Sequence, residues 1–227
     1  MQGIDEKKVA YNKISYTQEF FLCSLRKNGK APVSLEFQTC LVVGSLMELL
    51  NQGYLVRSEK GKLVAAKDLD DSFSYLKPLY DLILSFKKPK DLKGVAEAFV
   101  LGSVKYMKEL ILAFNTSLIK IGYADELIKK GRFREKTYYL PKTEVVTNIV
   151  NKVRSEFLNG GTITEDTLCL AALLDKGLLI RNYFSKFEAD ALKNRLKEIR
   201  KSQEYTCVKE VLDHISGIIA AMIVCCC

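Results

Sequence analysis

The chain has 227 residues, 48% hydrophobic and 27% charged, with only 13 Gly and 4 Pro. That composition excludes a disordered or all-β chain and leaves a globular, helix-leaning one, long enough for one large domain or two small ones. The net charge of +8 favours anionic partners such as acidic lipid, nucleic acid or an acidic protein tail; a merely Lys-rich surface would give the same number.

Residues 1–13 read as a charged arm without an apolar leader core, and no apolar run approaches the ~20 residues that a spanning helix needs. The seven cysteines form no C-x-x-C pair. With His214 as the single histidine they spell no metal site, so we expect reduced thiols in a cytoplasmic setting, Cys23, Cys40 and Cys169 being buried in apolar runs. Ser15 and Gln18 form a capping box, after which Phe20, Phe21, Leu22 and Leu25 make a short apolar helix face. Arg26, Lys27, Asn28, Gly29 and Lys30 form a basic turn, and Pro32 keeps it from continuing as helix. Ser34 caps a deeply buried helix over 35–51. After Gly53, residues 54–56 and 62–64 flank a Glu-Lys-Gly turn and predict a β-hairpin.

Residues 70–86 carry a further helical pattern, kinked or broken by Pro78 and ended by Pro89 among Lys87, Lys88, Lys90 and Lys93. Helices are expected over 92–102, 104–120 and 123–130. The last is the second of three phrases in which a helix-like apolar run meets Gly, at Gly53, Gly131 and Gly177. Gly131 then opens a second hairpin over 132–138. Helix 144–158 closes at Gly160-Gly161, and Thr162 with Glu165 predicts a capping box for helix 163–175. Ser185 and Glu188 predict another, for an amphipathic helix through Arg200 with Phe187, Leu192, Leu196 and Ile199 on one side. Thr206 caps a last helix that ends almost wholly apolar before Cys225, Cys226 and Cys227. No Gly-, Pro- or Ser-rich linker interrupts 14–227, so we expect one mainly α domain there: a buried apolar C-terminal helix, surrounding amphipathic helices and short β-hairpins.

Enzyme constellations are missing from the sequence. There is no phosphate-binding Gly-rich loop with Lys-Ser/Thr, no H-E-x-x-H and no G-x-S-x-G. The acidic pairs Asp70-Asp71 and Glu165-Asp166 fall at helix starts, where the helix dipole favours them. The chain therefore reads as a binding protein rather than an enzyme, with no cofactor. Its basic groups at 26–30, 87–93 and 129–136 become functional if they share one face, and read as ordinary solvated loops otherwise.

The order of several weak motifs carries more information than any one of them. Thr17-Gln18-Glu19-Phe20-Phe21-Leu22 is followed by Val42-Val43-Gly44-Ser45-Leu46-Met47-Glu48-Leu49-Leu50-Asn51-Gln52-Gly53-Tyr54-Leu55 and by Gly61-Lys62-Leu63-Val64. The hairpin after Gly131, the helix at 167–174 and the apolar C-terminal helix follow. From about residue 15 onward this order resembles the Golgi phosphoprotein 3 family of eukaryotic Golgi adaptors and bacterial relatives. The resemblance implies a peripheral, non-enzymatic adaptor that binds phosphatidylinositol 4-phosphate and the cytosolic tails of glycosyltransferases. It also implies self-association through a protruding hairpin, here about 132–141 with Arg132, Arg134, Lys136 and Tyr138, and a place on the Golgi face if the source is eukaryotic. The family's lipid pocket uses a Trp, an Arg on the second helix and two Arg on a later helix. Here the Trp position falls near Val33 or Ser34, the first Arg on Val42 and the later pair on Ser117 and Lys120, so only Lys120 keeps a charge. Arg26, Lys27 and Lys30 are the nearby cations expected to substitute. The alternative is a module of the same fold that has lost lipid binding and acts through self-association and protein partners. Nucleic-acid binding is disfavoured, since neither hairpin follows a helix with a polar reading face.

Overall fold

A computed structural model describes residues 14–130, 135–201, 213 and 215–218. The Ser15 capping box is present, Ser15 Oγ accepting from Gln18 N at 3.2 Å, and it starts α1 (Tyr16–Ser24). Every residue of α1 is buried, so the short apolar face read from sequence is in fact a helix enclosed on all sides. It packs against α2 (Leu35–Asn51), α5 (Val104–Lys120), α6 (Thr143–Leu158) and α7 (Glu165–Lys176). Ser34 caps α2 as expected, and Gly53, at φ +71°, turns the chain into β1 (Leu55–Arg57), which pairs antiparallel with β2 (Leu63–Ala65).

Pro78 breaks the next segment, as expected. A 3₁₀ helix (Asp71–Leu76) stops just before it, and α3 (Lys77–Ser85) begins with the proline in its first turn, where no amide hydrogen is needed. α4 (Leu92–Val100) and α5 follow within a few residues of their predicted bounds. The chain then departs from expectation. Residues 124–130 form no helix; they are strand β3 (Ala124–Lys130), paired along its full length with β4 (Glu135–Pro141). The helix stop is Gly122, at φ +76°, and the pairing with Tyr138 and Tyr139 outweighs the weak helical preference of Asp-Glu-Leu-Ile-Lys-Lys. The hairpin therefore starts earlier than the sequence indicated.

Three further expectations shift. α7 is capped by Thr164, not Thr162, because Glu156 of α6 reaches across to accept from Thr164 N at 2.8 Å. Gly177 has φ −77° and the left-handed position passes to Leu178 at φ +60°. Gly177 is needed for space instead: a Cβ there would lie 2.9 Å from the Phe20 ring. A one-turn helix, α8 (Ile180–Tyr183), then precedes α9 (Lys186–Lys201), whose Ser185–Glu188 box forms as predicted. α9 buries Ala189, Leu192, Leu196 and Ile199, a stripe that leaves Phe187 off its edge and 84% exposed.

The described helices share one hydrophobic core with α1 and α2 at its centre, which makes the protein a mainly α, compact helical domain with two small hairpins. Ile215 and Ile218 of the C-terminal helix lie in that core, and Cys23, Cys40 and Cys169 are buried as expected. The 1–13 arm, Gly131, Thr206, His214 and Cys225–Cys227 lie outside the described residues.

Candidate functional site

The basic turn is the first piece. α1 ends at Leu25, and the chain folds back on itself through Gly29 N donating to Arg26 O at 2.7 Å and Arg26 N donating to Lys30 O at 3.0 Å. Gly29 sits at φ +71°, a conformation that costs other L-residues about 1–2 kcal/mol. It is also pressed against β4: Tyr139 N donates to Gly29 O at 3.1 Å, and a Cβ at Gly29 would lie 2.8 Å from Tyr139 N. This contact locks the turn to the hairpin.

The locking gathers cations. Lys30 and Lys129 lie 5.7 and 5.6 Å from the centre of the Tyr138 ring. Lys129 also stands directly opposite Lys136 across the ladder. Like charges in that position destabilise a hairpin unless something anionic faces them. Two residues named from sequence, Lys136 and Tyr138, thus join Lys30 on one surface. Arg132 and Arg134 lie outside the described residues.

Lys120 sits elsewhere. It is exposed in the last turn of α5, and lines a cavity of 680 Å³ with Gln18, Ser117 and Tyr75. Arg26 and Lys27 line a different cavity, of 790 Å³, along α6. Of the other pocket positions implied by the resemblance, Val42 is fully buried, Val33 is 81% exposed, and Ser117 accepts from Gln18 Nε2 at 2.9 Å. The cations proposed from sequence therefore do not converge: Lys120 lines one cavity, Arg26 and Lys27 another, and Lys30 lies on the hairpin surface. The other basic group is partly neutralised: Lys93 pairs with Glu97 at 3.7 Å, and Lys90 packs 5.2 Å from the Phe86 ring centre.

Two buried carboxylates went unread in the sequence. Glu48, on α2, accepts from Thr17 Oγ1 and from the Tyr75 hydroxyl, and burial pushes its carboxyl above the usual range against those bonds. Glu19, on α1, is gripped by Lys152 Nζ at 2.6 Å from both oxygens. Burial raises its carboxyl too, with the Lys152 charge opposing. A carboxylate inside the apolar run Leu46-Met47-Glu48-Leu49 was the available signal. Both groups have partners within the fold and belong to its packing. Among the described residues no group of three or more His, Cys, Asp or Glu side chains is placed to hold a metal ion.

A scan against protein families matches the Golgi phosphoprotein 3 model over residues 17–216. The chain belongs to the Golgi phosphoprotein 3 family. No curated protein matches it. The family is one of non-enzymatic adaptors. No helix of this family member is long and apolar enough to cross a membrane, among the described residues. What the arrangement offers chemically is a set of fixed cations beside an aromatic ring, suited to holding anions.

Proposed function

We propose that this family member is a peripheral membrane-binding adaptor, without enzymatic activity, whose turn-and-hairpin face meets anionic phospholipid. By family, the lipid is phosphatidylinositol 4-phosphate and the setting is the cytoplasmic side of a membrane, the Golgi in a eukaryote. Residues 14–227 act as one domain in this reading. The observation that carries it is the Gly29–Tyr139 contact, which brings Lys30 to the same surface as Lys129, Lys136 and Tyr138. Each basic side chain near an acidic bilayer adds about 1 kcal/mol, so three of them enrich the protein there roughly a hundredfold.

Co-sedimentation with neutral vesicles, with phosphatidylserine vesicles and with phosphatidylinositol 4-phosphate vesicles, each at low and physiological salt, tests the proposal. Selective pelleting with the phosphoinositide supports the full reading. Equal pelleting with every acidic vesicle supports a delocalised basic face. No pelleting at low salt overturns it.

A second reading has its own support. Among the described residues β3 pairs on one side only, with β4, and it carries exposed Leu127 and Ile128. Such an edge invites another strand, so self-association through the hairpin is the alternative use of the same element. It would appear as concentration-dependent assembly in analytical ultracentrifugation.

A further inference from the structure

The cavity along α6 holds a cation that neither the sequence motifs nor the family match singles out. Arg154 lies at this cavity, held by four contacts. Its Nε donates to Glu188 at 2.7 Å, its Nη1 to Asn151 Oδ1 at 2.8 Å and its Nη2 to the Tyr183 carbonyl at 3.3 Å, and the guanidinium packs 5.3 Å from the centre of the Phe184 ring. A guanidinium has five N–H groups. Three are engaged, which leaves one on each Nη.

The surroundings match an anion. Arg26 and Lys27 line the same cavity and are exposed, without a carboxylate partner among the described residues. The lining contains no Asp or Glu; Glu188 lies outside it, ion-paired with Arg154 and accepting from Ser185 N at 2.8 Å, so the uncompensated charge of the cavity is that of Arg26 and Lys27. Thr147 and Asn182 add neutral donors to the same lining. The walls are also tied together, since the Tyr183 hydroxyl donates to Cys23 O at 2.5 Å where α1 ends. A pre-fixed guanidinium with two unengaged donors, in one cavity with two exposed cations, suits planar or tetrahedral oxyanions taken two oxygens at a time. At 790 Å³ the cavity has room for an organic body beyond the anion.

We propose that this cavity is an oxyanion site, gripped by Arg154 and closed by Arg26 and Lys27, whose ligand carries a phosphate-class group. It lies beside the turn that carries Lys30 but needs no membrane, so the ligand is either a lipid headgroup or a soluble phosphoester.

Calorimetric titration of the full chain with inorganic phosphate and with glycerol 3-phosphate, against chloride at equal ionic strength, tests it. Saturable binding is expected. Arg154→Lys keeps the charge and loses the fork, and should weaken binding about tenfold, the value of one charge-assisted hydrogen bond. Because Arg154 also braces Glu188 and Tyr183, a second variant, Thr147→Val/Asn182→Leu, removes lining donors at exposed positions; it should weaken binding with the melting temperature unchanged. No saturable binding by the wild type, or wild-type affinity in both variants, overturns the site. Vesicles separate the two proposals. If phosphate fails while acidic vesicles still pellet the protein, the cavity is refuted and the membrane face stands. If phosphate binds and no vesicle does, the site stands with a soluble ligand and the membrane reading falls. Displacement of glycerol 3-phosphate by phosphatidylinositol 4-phosphate vesicles, but not by phosphatidylserine ones, identifies the headgroup as the ligand.

Discussion

Glu48 shows what a single buried charge does to this fold. Its partners Thr17 and Tyr75 return part of the hydration it loses, yet burial still holds its carboxyl above the unfolded value of about 4.3. The folded state therefore binds the proton more tightly than the unfolded state does. Its contribution to stability is fully present below the unfolded pKa and is lost as pH rises through the folded one. Glu48→Gln does not titrate. The stability of this variant relative to wild type should improve as pH goes from about 4 to about 7, read by urea denaturation at each pH. A difference that is flat across that range would mean that Glu48 titrates alike in both states.

The hairpin and the basic turn work as one element because a backbone contact, not a side chain, joins them. Gly29→Ala should therefore lower vesicle binding although it alters no charge: the new methyl meets Tyr139 and forces the turn off β4. Gly53→Ala is the matched control. It has the same φ of +71° but nothing within 4 Å of a Cβ, so it should lose about 1–2 kcal/mol of stability and keep its vesicle binding. Equal binding losses in the two variants would reduce the effect to general destabilisation. Elements held by local rules were legible in the sequence: the caps at Ser15, Ser34 and Ser185, the break at Pro78 and the first hairpin all depend on residues a few positions apart. Elements decided by distant partners were not. Strand 124–130 exists because of Tyr138 and Tyr139, the α7 cap depends on Glu156 of α6, and Gly177 is explained by Phe20. The site follows the same division. The basic residues could be named from sequence, but their separation into the Lys120 cavity and the Arg26 cavity could not, and Arg154 shows its role only through contacts with α8 and α9.

At the scale of the whole molecule, 35 Lys and Arg stand against 27 Asp and Glu, and the question is whether the excess acts as a total or as a pattern. Two double variants change the total equally. Lys27→Glu/Lys30→Glu alters the turn on the hairpin face, whereas Lys87→Glu/Lys88→Glu alters the loop after α3. If pattern governs, co-sedimentation with phosphatidylserine vesicles at physiological salt falls sharply for the first pair and little for the second, because screening over about 8 Å isolates distant clusters. Equal losses would mean that net charge alone draws the protein to the bilayer.

The Gly29 contact sets different limits on how this surface can drift. Positive charge at 26, 27 and 30 is interchangeable in kind and, over short distances, in place, so a descendant chain can trade Arg for Lys there, or shift a cation by a residue, and still attract an anion. Position 29 has no such latitude, because every side chain meets the Tyr139 backbone. In a lineage that exploits this face, the neutral glycine is the residue to find unchanged while the charges around it wander.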